Sequence, residues 1–187
     1  TEMEKPAAVE KAVAETSLDG LFGELFCIGI AIDDADPTVF VREDLSRAAE
    51  LRLLKEFFDF VQAHGSAAAP LRFVGHYLHA FDLPFLWKRA VVLGEDPCGC
   101  LPYDAPPRNG QVLDTRYLWT GNTKDHVGLD KLCLALGVDS LKGGMDGSKV
   151  WPYVQAGRVG EVVEYCRGDV IRAREVYRRL TFAPLVG

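Results

Sequence analysis

Val74-Gly75-His76-Tyr77-Leu78-His79-Ala80-Phe81-Asp82-Leu83-Pro84-Phe85-Leu86 is the stretch on which the reading of this chain turns. The apolar run from Leu71 to Tyr77 predicts a buried strand, and Pro84, which suits the first turn of a helix, predicts a helix over Asp82 to Val92. A strand that feeds a helix delivers its last residues to the edge where open α/β sheets take their ligands. Asp82 stands at that junction, and two readings of it are open: a cap for the following helix, or a carboxylate that takes part in chemistry.

Working outward, Glu24 to Asp33 and Thr38 to Arg42 predict a hairpin around the turn Asp34 to Asp36. Apolar residues at helical spacing from Leu45 to Val61 predict a long amphipathic helix ending near Gly65, and Pro6 to Thr16 reads as a further helix. Beyond the central stretch, Cys98 to Gly110 is a loop rich in Pro and Gly, and Gln111 to Leu118 resumes as a strand. Leu129 to Leu136 forms a short helix closed by Gly137, Lys142 to Ser148 is a loop, and Val159 to Leu180 carries the last long helix. The order predicts an α/β domain, a mixed β-sheet flanked by helices on both faces. No repeat or linker divides the 187 residues, so residues 1–187 are expected to form one domain. The sheet is one strand short beside Glu24 to Asp33.

A second informative run is Glu164-Tyr165-Cys166-Arg167-Gly168-Asp169-Val170, inside the last helix. Tyr165 and Asp169 stand at i and i+4, so a phenol and a carboxylate share one helix face. The plain alternative is a packed Tyr165 and an Asp169 paired with a neighbouring arginine such as Arg172.

Composition narrows the classes. With 48% hydrophobic and 26% charged residues the chain has the make-up of a globular protein rather than a disordered one. Its longest apolar run, Leu25 to Ile32, falls far short of the roughly 20 residues that cross a bilayer, so no membrane span is expected. Thr1 to Lys5 lacks the pattern of a secretory signal, and a cytoplasmic location is expected. A net charge of −6 argues against holding nucleic acid by Lys and Arg alone, but acidic side chains that carry divalent cations escape that argument, because the metals meet the phosphates. The five cysteines are irregularly spaced and predict no disulfide framework, and Cys98-Gly-Cys100 lacks the further ligands of a tetrahedral metal site.

These residues carry a family resemblance. Gly75 to Leu86 resembles the second motif of the DEDD-type 3′-to-5′ exonucleases, and Tyr165 to Asp169 resembles their third motif in its tyrosine form, DEDDy. Val112-Leu113-Asp114-Thr115, Leu129-Asp130-Lys131-Leu132 and Ala135-Leu136-Gly137 look like the connecting strand and helix of those domains. Asp146-Gly147-Ser148-Lys149-Val150 resembles a loop of phage and bacterial members related to the proofreading domains of family B polymerases, and the likeness spans Leu18 to Leu180. It implies an RNase H-like fold and hydrolysis of nucleic acid from the 3′ end to nucleoside 5′-monophosphates. It further implies single-stranded DNA as the favoured substrate over RNA, and two Mg²⁺ or Mn²⁺ ions. Carried over residue by residue, Asp82 and Asp169 are metal ligands, Asp82 partly through bound water, and Tyr165 orients the attacking water; the catalytic set is Tyr165, Asp82 and Asp169.

The family's first motif, a strand ending in Asp-x-Glu, has no counterpart here. Thr1-Glu2-Met3-Glu4 has acids at that spacing but no apolar strand before them, and Pro6 to Gly20 resembles the end of a helical insertion found in phage-like members. The expectation is that the strand and its acid pair lie upstream of Thr1 or on another segment, and that without them turnover nearly vanishes. The alternative is a catalytically inactive RNase H-like domain that binds nucleic acid or a protein partner. His76 and His79 are expected to pack or hydrogen-bond rather than act as bases, and His64 and His126 to lie in loops. Phe81, Phe85 and Trp87 are candidates for stacking on a terminal base, and Lys142, Lys149, Arg158 and Arg167 for meeting the strand backbone.

Overall fold

The computed structural model describes residues 19–65, 69–106, 110–121, 123, 125–138 and 145–183. The acids of Thr1 to Glu4, the helix expected over Pro6 to Thr16, and Lys142 lie outside the described residues.

Strand β1, Cys27–Ile30, runs antiparallel to β2, Thr38–Val41, with Cys27 opposite Val41 and Ile30 opposite Thr38. Side chains alternate across β1. Ile28 and Ile30 join Phe40 against a core built by helix α1, Arg47–His64, and helix α2, Leu83–Leu93. On the other side, a Cβ on Gly29 would lie 2.8 Å from Val170 and 2.9 Å from the Cys166 sulfur. The bare backbone there lets the last helix close directly on the strand.

Strand β3, Phe73–Gly75, and strand β4, Val112–Asp114, are parallel, with Gly75 opposite Asp114. Among the described residues the strands form two separate ladders, not the single mixed sheet that the element order predicts. The ladders share their neighbours instead. Phe73 and Val112 join the core of α1 and α2, while the last helix packs on β1, β2 and β3 from the opposite side.

Three short helices complete the described chain: α3, Thr115–Thr120, α4, Leu129–Leu136, and α5, Val150–Gln155. The long helix α6, Val159–Thr181, then crosses the domain. The strand expected to reach Leu118 stops at Asp114, because the Asp114 carboxylate caps α3 by accepting from the Arg116 N–H. His64 lies in the last turn of α1 rather than in a loop.

The core is anchored by Leu53, Leu54, Phe57, Phe58, Leu83 and Ala90, each nearly inaccessible. Burial of each large apolar side chain among them contributes about 1.5–3 kcal/mol. Glu50 is buried with them, and its carboxylate is fully served: Arg89 donates from Nε and Nη2, each at 2.8 Å, and the Leu25 N–H donates at 2.9 Å. That pair ties α1, α2 and the segment leading into β1 together. A second, smaller cluster of Leu132, Cys133 and Val176 seats α4 on α6.

Candidate active site

The site grows from the ends of β3 and β4. After Gly75 the chain turns through His76 and Tyr77 into a single π-helical turn, Leu78–Asp82, that leads into α2. A Cβ on Gly75 would lie 2.7 Å from the Leu78 side chain, so this tight return requires glycine. Tyr77 takes the left-handed conformation, φ 67° and ψ 22°, a strain of about 1 kcal/mol or more that surrounding contacts must hold. Asp114, 2% exposed, supplies them: its carboxylate accepts from the N–H of Tyr77 at 2.9 Å, of His79 at 3.1 Å and of Arg116 at 2.9 Å. One carboxylate thus caps α3 and fixes the turn that carries Asp82.

Asp82 does not cap α2 with its side chain, and its backbone is already helical. Its carboxyl is pushed up to about 7 by burial; its own backbone N–H opposes the rise, and the charges of Asp114 and Asp169 add to it.

On α6, the Tyr165 phenol hydrogen-bonds the Asp169 carboxylate one turn away. Burial, reinforced by the Asp169 charge, raises the phenol above its ordinary value, so Tyr165 stays protonated. Asp169 is raised by burial against the lowering effect of Arg172 and Tyr165. Arg172 is itself buried and bonds both Asp169 and Asp130. The arginine pairing weighed as the plain reading of Asp169 is therefore present, together with the bond to Tyr165.

The structure accordingly brings Asp82 and Asp169 within range of each other's charge and sets Tyr165 on Asp169. Other residues singled out in the sequence are engaged elsewhere. His76 has both ring nitrogens bonded: Nε2 donates to the Val127 carbonyl at 2.9 Å, so Nδ1 accepts from the Thr115 hydroxyl at 2.9 Å. Burial lowers its pKa and keeps it neutral. The His79 ring packs edge-on to Tyr117. Phe81 and Phe85 lie against each other in the core, and Trp87 stacks on Tyr103, so these rings face protein neighbours. Lys149 pairs with Asp146, Arg158 with Glu161, and Arg167 donates to the Pro37 carbonyl. In the sequence Asp114 reads only as part of a connecting strand, and Arg116 is not singled out. An Asp-Thr pair closing a parallel strand just before a helix is the signal that could have found the first of them.

Among the described residues no group of three or more His, Cys, Asp or Glu side chains is placed to hold a metal ion. Asp82 and Asp169 are hard oxygen donors, and the charges of Asp114 and Asp169 act on Asp82 beside the effect of burial. They fit a divalent ion as part of its shell.

Residues 112–184 match a family described as a predicted 3'-5' exonuclease related to the exonuclease domain of PolB. The match takes in Asp114, Tyr165 and Asp169 and begins after Asp82, so it supports the exonuclease resemblance over less than half of the chain. None of the curated proteins compared with the chain matches it.

Proposed function

We propose that the chain carries the catalytic core of a metal-dependent 3′-to-5′ exonuclease that releases nucleoside 5′-monophosphates, with single-stranded DNA favoured over RNA. The observation that carries this reading is the meeting of a raised, uncompensated Asp82 with the Tyr165–Asp169 pair at the end of two parallel strands. Asp82 and Asp169 would hold Mg²⁺ or Mn²⁺, which supplies a more acidic bound water and neutralises charge on the phosphoryl oxygens. Tyr165, kept protonated, donates to Asp169 and offers its oxygen lone pairs to a water proton, so it orients the nucleophile. Asp82 must be ionised to ligate, and a carboxyl near 7 is ionised for the most part at pH 8. The acid pair of the first motif would complete the shell.

The test is to incubate the full-length protein with 5′-labelled single-stranded DNA and RNA oligomers in Mg²⁺ and in Mn²⁺. Shortening from the 3′ end that stops in chelator and in Asp82→Asn and Asp169→Asn supports the reading. Binding without shortening in either metal would mean an inactive nucleic-acid-binding domain.

A further inference from the structure

We propose that the cleft lined by His76, Tyr77, Arg116, His126, Val127 and Gly128 is a subsite for one internucleotide phosphate of the substrate strand, with Arg116 as its principal ligand. The inference rests on the exonuclease reading and adds a binding element to it.

The cleft has a volume of about 260 Å³. It opens beside the ends of β3 and β4, the edge from which the turn to Asp82 departs. Arg116 is the only permanent cation among its lining residues, and none of them is an acid. Among the described residues the buried guanidiniums all meet carboxylates, Arg42 with Glu24, Arg89 with Glu50 and Arg172 with Asp169 and Asp130. Arg116 is different: among the described residues its contacts are the Tyr77 ring, 4.2 Å from its centroid, and the His126 Nδ1 atom, to which Nη2 donates. A planar guanidinium whose remaining donors meet no acid is a receptor for phosphate oxygens.

Three neighbours shape that receptor. His126 Nδ1 accepts from Arg116, which leaves the Nε2 edge of the ring beside the cation. His76 spends both nitrogens on Thr115 and Val127, so it fixes the wall of the cleft without competing for the ligand. Tyr77, 37% exposed and held in its left-handed conformation through Asp114, places its ring beneath the guanidinium. The balance of one cation and no acid suits the single negative charge of a phosphodiester. The Tyr77 ring and Val127 offer apolar surface to the adjoining sugar. A strand whose 3′ end reaches Asp82 and Asp169 approaches their carboxylates and that of Asp114, and Arg116 offsets that repulsion at the neighbouring linkage.

The experiment measures binding in chelator, by fluorescence anisotropy, of 5′-labelled oligothymidylates in which each linkage in turn is a neutral methylphosphonate. The full-length wild type is expected to lose about tenfold in affinity when one particular linkage near the 3′ end is neutral. Arg116→Gln is expected to show the same loss on the all-phosphate strand and no further loss at that linkage, and Arg116→Lys an intermediate one. Inorganic phosphate and thymidine 5′-monophosphate at equal concentration should not displace the strand. If the wild type binds the strand but no linkage near the 3′ end matters, or if Arg116→Gln keeps its sensitivity there, the subsite is wrong while the exonuclease reading stands. If free phosphate displaces the strand, the cleft takes a small anion and the proposal is overturned. If the wild type binds no strand in chelator the subsite falls, and if it also neither binds nor shortens the strand in Mg²⁺ the exonuclease reading falls with it. The linkage scan on the wild type decides the matter even if the Arg116 variants do not fold.

Discussion

Two carboxylates, the buried Glu50 in α1 and the half-buried Asp82 at the start of α2, are treated in opposite ways by the same fold. Glu50 receives two guanidinium bonds and a backbone N–H and joins three segments of the chain. Asp82 has two like charges for company and holds its proton up to about 7. A buried ion pair whose bonds are complete is scaffold, and its removal leaves an unpaired charge behind. A carboxyl raised by burial, and further by the like charges beside it, costs stability when ionised and is useful only if something cationic arrives. The difference separates the part of the molecule that holds the shape from the part that is poised to react.

The sharpest way to break this contrast is by activity. Asp82→Asn and Asp169→Asn are each expected to lower exonuclease turnover of the full-length protein by about a thousandfold or more, measured in single-turnover assays on a labelled strand. Turnover close to wild type in either variant would remove that residue from the reactive site.

Next comes stability. Glu50→Ala strands the Arg89 guanidinium and is expected to cost about 3–5 kcal/mol, a fall in Tm of roughly 10 °C by thermal denaturation. Asp82→Asn should act in the opposite sense, and increasingly so as pH rises above the ordinary carboxylate range. The folded carboxyl binds its proton more tightly than the unfolded one, so the penalty of ionising it grows as pH rises from the ordinary value of 3.8 to about 7. At about 1.4 kcal/mol per pKa unit the limit is about 4 kcal/mol. The variant should therefore melt several degrees higher than wild type at pH 8 and close to it near pH 4. Equal melting curves at both pH values would mean that Asp82 is not raised.

Metal sharpens the comparison further. Saturating Mn²⁺ should raise the Tm of the wild type by a few degrees relative to chelator, and Asp82→Asn should lose that response while Glu50→Gln keeps it. The smallest expected change is at Tyr165→Phe, which deletes one hydrogen bond to Asp169: a loss of about 1 kcal/mol in stability and of about ten- to a hundredfold in turnover, read by melting and by single-turnover rates. An unchanged turnover would reduce the phenol to a packing group.

The scaffold was more legible in the sequence than the site. Helical spacing from Leu45 to Val61 located α1, and the Leu129 to Leu136 helix with its Gly137 closure appears with those bounds. Such patterns are local consequences of one buried face. The Tyr165 to Asp169 pairing was legible for the same reason, since a one-turn spacing is fixed by the helix itself. The setting of Asp82 was not. Pro84 marked the helix start, but the π-helical turn before it is held by Asp114, 32 residues further along, and no local pattern records that bond. The strand assigned to Gln111 to Leu118 hid Asp114 because Tyr117 and Leu118 read as a strand's apolar residues, whereas they are half-exposed on α3. Helix α5, Val150–Gln155, was missed because Pro152 and the neighbouring glycines look like loop, although proline is tolerated in a first turn.

The central claim is that Asp82 is an uncompensated carboxyl that shares its surroundings with Asp169. Its most direct test is a carboxyl-carbon NMR titration of Asp82 in the full-length protein, repeated with Asp169→Asn and with added Mg²⁺. The account predicts a midpoint near 7 that falls in the variant and falls further when the metal binds. A midpoint near 4 that neither change moves would contradict it.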